Sequence, residues 1–128
     1  SIIFSGALDR FPNMKFVLGE CGISWIPYIL RRMDEEYDDQ LAHSLNFSLK
    51  PSEFWQRQGF STFQHETLVA DVAHLVGEDN IMWGSDYPHT ESTFPRSRQI
   101  LEEILADCTE EEKAKIAGGN ASRVYHLD

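Results

Sequence analysis

The chain has 128 residues, 41% hydrophobic and 12% aromatic, with 11 Lys and Arg against 21 Asp and Glu for a formal net charge of −10. That apolar content excludes a disordered tail, and the acidic balance argues against nucleic acid and anionic membrane surfaces as partners, since both carry the same sign of charge. The longest apolar runs, such as Phe16 to Leu18, fall far short of the roughly 20 residues of a spanning helix, and Cys21 and Cys108 form neither a disulfide framework nor a CxxC pair. A soluble protein of the reducing cytoplasm is the expectation. The opening Ser1-Ile2-Ile3-Phe4 has no initiator Met and passes straight into helix-like text, which predicts a segment of something longer.

In chain order, no repeat or low-complexity linker divides residues 1–128, so one unit is expected. Pro12 and Asn13 stop a first helical stretch, and Lys15 to Gly19 follows as a buried parallel strand. Ser24 is placed to cap the next helix, Pro27 fits its first turn, and Trp25, Ile26, Ile29, Leu30, Met33 and Tyr37 repeat at helical spacing as a core-facing stripe. The acidic run Asp34-Glu35-Glu36 reads as its solvated face. Residues 38–50 carry no clear period. Pro51 to Trp55 predicts a short helical turn leading to Gly59, and Phe60 to Phe63 alternates as a strand. Leu68, Val69, Val72, Ala73 and Val76 return to helical spacing until Gly77, and Ile81-Met82-Trp83 forms a third strand, completing a parallel strand-helix-strand unit. Ile100, Leu101, Ile104 and Leu105 make one helical face. Thr109 with Glu112 is a capping box for a further helix that Gly118-Gly119 should close, after which Asn120 should cap a last turn. The class is α/β with parallel strands and a helical tail.

Parallel α/β folds put their ligand sites at the carboxyl ends of strands. Glu20-Cys21-Gly22 follows the first strand, Gln64-His65-Glu66 the second, and Ser85-Asp86-Tyr87-Pro88-His89 the third. Carboxylates and imidazoles gathered from separate strand ends are what a metal site with an activated water requires, since the ion takes anionic oxygen and neutral nitrogen ligands and lowers the pKa of bound water. Each residue also has a plainer reading. Asp86 could be a turn residue binding backbone N–H groups. Glu20 could belong to a structural ion pair, and His65 and His89 could be supporting or surface groups. Cys21 reads better as a small buried side chain than as a nucleophile. Asn46-Phe47-Ser48 and Asn120-Ala121-Ser122 match the glycosylation sequon but are discounted without a secretory leader.

The residues also resemble a known family. Phe11 to Gly22, with Trp25-Ile26-Pro27 and Arg31 to Asp34, is similar to the sixth strand and following helix of the amidohydrolase-related family of metal-dependent hydrolases and decarboxylases. Asn80 to His89 resembles its eighth strand, and Gly119-Asn120-Ala121-Ser122-Arg123 its terminal helix. The resemblance implies the C-terminal part of a (β/α)8 TIM barrel, about three strand-helix units of a fold that needs about 250 residues. It implies that Asp86 is both metal ligand and catalytic group, and that Glu20 is catalytic where many members carry histidine. His65, His89 and Trp25 are placed as residues that touch substrate or support the ligands. A divalent metal, zinc first, is expected in the intact parent and none in this chain alone, because the family's first-strand His-x-His pair and fifth-strand His have no counterpart here. The expected partners are a small organic substrate, hydrolysed or decarboxylated by the parent, and further copies of the chain in a homo-oligomer. The alternative is a non-catalytic acidic α/β domain that self-associates through open sheet edges; a Rossmann-type nucleotide binder is disfavoured because no G-x-G-x-x-G follows a strand.

Overall fold

Three short apolar runs set the architecture. In a computed structural model that describes residues 2–127, β1 (Phe16–Leu18), β2 (Gly59–Phe63) and β3 (Ile81–Trp83) form a parallel sheet in the order β1-β2-β3. Val17 pairs with Phe60, and Thr62 with Met82. Parallel pairing demands crossovers, and helices supply them: α1 (Ala7–Arg10) precedes the sheet, α2 (Ile26–Glu36), α3 (Ala42–Leu45) and α4 (Pro51–Gln58) join β1 to β2, and α5 (Val69–Val76) joins β2 to β3. The tail is α6 (Ser97–Ile104), α7 (Glu110–Ala114) and α8 (Asn120–Tyr125). No helix among the described residues is long and apolar enough to cross a membrane.

The main core lies between the sheet and the helices, where Ile23, Ile26, Leu30, Phe63, Ile81 and Ile104 pack together. A smaller cluster of Ile3, Leu8 and Phe54 lies beside it. Burial among apolar neighbours pushes the Cys108 thiol up from its usual range. α4 runs directly into β2 because Gly59 has no side chain: a Cβ there would lie 2.4 Å from the Trp55 ring. Two buried amides then stitch loops to strands. Asn80 donates to the carbonyls of Trp55, Gln56 and Gly59, and Asn120 donates to those of Glu78 and Ile81 at 2.7 and 2.8 Å.

Several local expectations are corrected. β1 is only half-buried, because one of its edges has no partner strand among the described residues, while β2, central in the sheet, is buried at four of its five positions instead of alternating. Ser24 does not cap α2: its hydroxyl is buried without a partner, and the Glu66 carboxylate binds the local N–H groups instead. Gly118-Gly119 does not stop the chain, which passes through a π-helical turn (Lys115–Gly119) into α8, and Asn120 lies inside that helix as a donor to the strand region. Cys21 is exposed, not buried. Trp25 is 43% and Ile29 37% exposed, so the core stripe of α2 is carried by Ile26 and Leu30, with Tyr37 buried just past the helix end. Residues 38–50, without a readable period, form the end of a π-helical turn, α3 and an irregular link that bends at Ser48 and Leu49.

Candidate functional site

The carboxyl ends of the three strands open on one polar cavity of about 260 Å3, lined by Glu20, Gln64, His65, Asp86 and Glu91. Each strand contributes because the polar residues come within three positions of its last apolar residue. Donor atoms of Glu20, Asp86 and His89 all lie within 4.8 Å of one another. The turn after β3 supplies two of the three residues: the His89 N–H donates to the Asp86 carbonyl at 2.9 Å, folding the chain back so that His89 Nδ1 meets Asp86 Oδ1 at 2.8 Å. The Asp86 side chain is 11% exposed and that of His89 66%, so the imidazole is the outer partner of a largely buried carboxylate. Among the described residues the Asp86 carboxylate takes this ring and not a backbone N–H of its own turn, which separates it from an ordinary turn aspartate.

Glu20 and Asp86 share an uncommon backbone: both are left-handed, at φ +57° and +58°. Side chains with a Cβ avoid that region at a cost of about 1–2 kcal/mol, and it persists where the surroundings impose it. For Glu20 the constraint comes from β2. The Glu20 N–H donates to Thr62 Oγ1 at 2.7 Å, the Gly22 N–H to the Thr62 carbonyl at 3.2 Å, and the Ser61 hydroxyl reaches the carbonyls of Leu18 and Gly22. Farther along the same loop, Glu66 accepts from the N–H groups of Ile23 and Ser24 at 2.8 Å each.

Of the residues selected from sequence, Glu20, His65 and Asp86 line the cavity and His89 completes the donor cluster. Trp25 does not line it. Its indole N–H donates to the Cys21 carbonyl at 2.8 Å, and its ring faces an apolar hollow of about 260 Å3 beside β1 with Ile2, Phe16, Leu18 and Ile29. The sequence places Gln64 and Glu66 in the polar cluster after β2 without giving them a role, and it does not point to Glu91, Ser61 or Thr62. Gln64 and Glu66 at least follow β2 directly, whereas Glu91 arrives through a loop with no period. A larger open groove of about 620 Å3 along α2 and α4 shares no residue with the site.

The donor set fits a divalent ion. Ligands at 2.0–2.2 Å from a metal lie at most roughly 4.4 Å apart, so an ion would be met by small rotations of these side chains. Three carboxylates line the cavity, and no Lys or Arg does.

The sequence profile of the amidohydrolase family matches residues 1–127. The chain belongs to the amidohydrolase family. It is 28% identical to the 2-amino-3-carboxymuconate-6-semialdehyde decarboxylase of Dictyostelium discoideum, covering 100% of this chain and 35% of that protein. It is 33% identical to 5-carboxyvanillate decarboxylase from Sphingomonas paucimobilis, with a TM-score of 0.79 over 99% of this chain and 38% of that one. A dihydroxybenzoic acid decarboxylase from Polaromonas, solved with manganese and 2-nitroresorcinol bound, shares the fold at a TM-score of 0.77 and 22% identity, over 98% of this chain and 37% of its own. This amidohydrolase chain thus spans little more than a third of the length of the relatives it matches, and its α/β unit corresponds to part of their TIM barrel.

Proposed function

We propose that this chain forms part of a metal-dependent decarboxylase acting on a small organic acid, with Asp86 as a metal ligand and Glu20 as the acid/base group. The observation that carries this reading is the meeting of Glu20, Asp86 and His89 at the open ends of separate strands. The likeness to proteins named as decarboxylases favours that reaction over hydrolysis. A divalent ion at this place supplies positive charge that draws in a substrate carboxylate and polarises it. Asp86 and His89, with the Glu20 carboxylate beside them, are a harder set of donors than the cysteine and histidine of structural zinc sites, which favours manganese while still admitting zinc; with so few donors this chain alone would hold the ion only weakly, and tightly only in the complete protein.

The chain's own residues do the rest. Asp86 brings an anionic oxygen that His89 holds in a fixed direction through their 2.8 Å contact. Glu20, kept at the mouth of β1 by Thr62, presents an Oε atom that, protonated from solvent, can hand that proton to the electron pair left on carbon as the bond to CO2 breaks. His65 and Gln64 offer hydrogen bonds to polar substituents on the rim. Glu91 adds negative charge, so an anionic substrate would be held through the ion and not by the lining carboxylates. The complete enzyme needs elements beyond this chain, and the chain alone is expected to turn over no substrate.

The test is release of CO2 from aromatic and unsaturated carboxylic acids by the whole protein, with manganese or zinc supplied. Asp86→Asn is expected to lower turnover by about 10²–10⁴-fold with unchanged circular dichroism, because Asn tolerates left-handed backbone as Asp does. Wild-type turnover and metal content in that variant would make Asp86 structural.

A further inference from the structure

The β1–α2 loop is clamped by an acid that belongs neither to the donor cluster nor to the cavity lining. Glu66 receives the Ile23 N–H on one carboxylate oxygen and the Ser24 N–H on the other, both at 2.8 Å and both partly shielded from water. Such two-point contacts to a charged acceptor fix direction as well as distance. Gly22 makes room for the clamp: it sits at φ +69°, and a Cβ there would stand 3.3 Å from Glu66 Oε2. Glu20, two residues earlier, occupies a left-handed conformation that its own side chain disfavours. Thr62 ties the near side at the Glu20 N–H, and Glu66 ties the far side.

We infer that Glu66 is a positioning residue, which holds Glu20 against the Asp86–His89 pair by clamping the loop between β1 and α2. The clamp itself stands on hydrogen-bond geometry; its consequence for metal and substrate rests on the function proposed above. A residue that merely caps α2 would stabilise the helix without acting through Glu20. Positioning predicts that its effect disappears once Glu20 no longer contributes, since two residues acting through one contact are not additive.

The chain, Glu66→Gln, Glu20→Gln and the double variant would be compared by amide hydrogen exchange and by titration with Mn2+ alone, followed by water-proton relaxation. Gln can accept from only one of the two N–H groups. Glu66→Gln is expected to speed exchange at Ile23, Ser24 and Glu20 about 10-fold or more and to weaken Mn2+ binding about 10-fold, with the double variant binding no more weakly than Glu20→Gln. Gly22→Ala, which crowds the clamp without changing charge, is expected to give the same pattern and covers the case in which Glu66→Gln does not fold. Unchanged exchange at Glu20 in both loop variants would overturn the inference, as would losses of Mn2+ affinity that multiply in the double variant. Absence of Mn2+ binding by the unaltered chain would count against the proposed function instead, and the Glu20 amide would still decide the clamp.

Discussion

Glu20 and Asp86 lie within three residues of the ends of β1 and β3, both in left-handed backbone that glycine would occupy more easily. Such backbone costs stability, which is the reason to test Glu20 for a role beyond the fold. Replacing Glu20 by Gly should therefore leave the melting temperature unchanged or raise it by the equivalent of up to about 1 kcal/mol, while removing the carboxylate from the site. Thermal unfolding followed by circular dichroism checks this, and a loss larger than 1 kcal/mol would show that the Glu20 side chain supports the fold. Both residues were legible in the sequence because each follows an apolar run and is polar where a chain leaves a buried sheet. Thr62 and Glu66 were not legible as supports of Glu20. Their partners are 42 and 43 positions away, joined by the β1–β2 register that no local pattern encodes. Trp25 misled for the opposite reason: its neighbours have helical spacing, yet it stands at the entrance of α2 and turns to the Cys21 carbonyl.

At the scale of elements, the capping box of α7 and the anchor of α8 make separate predictions. Thr109 Oγ1 accepts the Glu112 N–H, while the Thr109 N–H and hydroxyl both donate to the Glu112 carboxylate, holding that carboxyl below the usual range. A carboxyl whose folded pKa is lowered contributes stability that is present above its unfolded pKa and fades as pH falls through the folded value. Thr109→Ala should thus cost about 1 kcal/mol near neutral pH, and the deficit should shrink in acid below the ordinary glutamate range. Urea titrations at neutral and acidic pH would show it; an equal deficit at both would separate the cap from Glu112 ionisation. Asn120→Ala strips donors from the buried carbonyls of Glu78 and Ile81 and should cost about 2–3 kcal/mol, measurable in the same titrations. A change below 0.5 kcal/mol would mean that water replaces the amide. The capping box could be read from the sequence because its geometry is local. The role of Asn120 could not, since the helix passes through Gly118-Gly119 under the pull of packing on Ile116 and Asn120, and tertiary contact overrides the weak helix preference of glycine.

Taken whole, the molecule is a three-stranded parallel sheet with two edges and its main core packed against helices. β1 and β3 each lack a second partner strand among the described residues, and Trp25, Ile2 and Ile29 stand exposed around the apolar hollow at β1. Unpaired parallel edges beside apolar surface favour association, so the chain is expected to scatter light at masses above its 14.7 kDa and increasingly so with concentration. A monodisperse folded monomer at high concentration would contradict this. The α/β class, the parallel strands and their order of appearance were readable from short apolar runs separated by helical periods. The half-exposure of β1 was not, because a run such as Phe-Val-Leu reads the same at an edge as in the middle of a sheet. The central claim is that Asp86 holds a metal ion with Glu20 and His89 gathered beside it, and paramagnetic broadening by Mn2+ tests it most directly because it detects weak binding in a protein with many acidic side chains. The account predicts that at low Mn2+ the amide signals of Glu20, Asp86 and His89 broaden first, and that Asp86→Asn abolishes this local effect. Broadening spread over the acidic surfaces of α2 and α7, unchanged by Asp86→Asn, would contradict it.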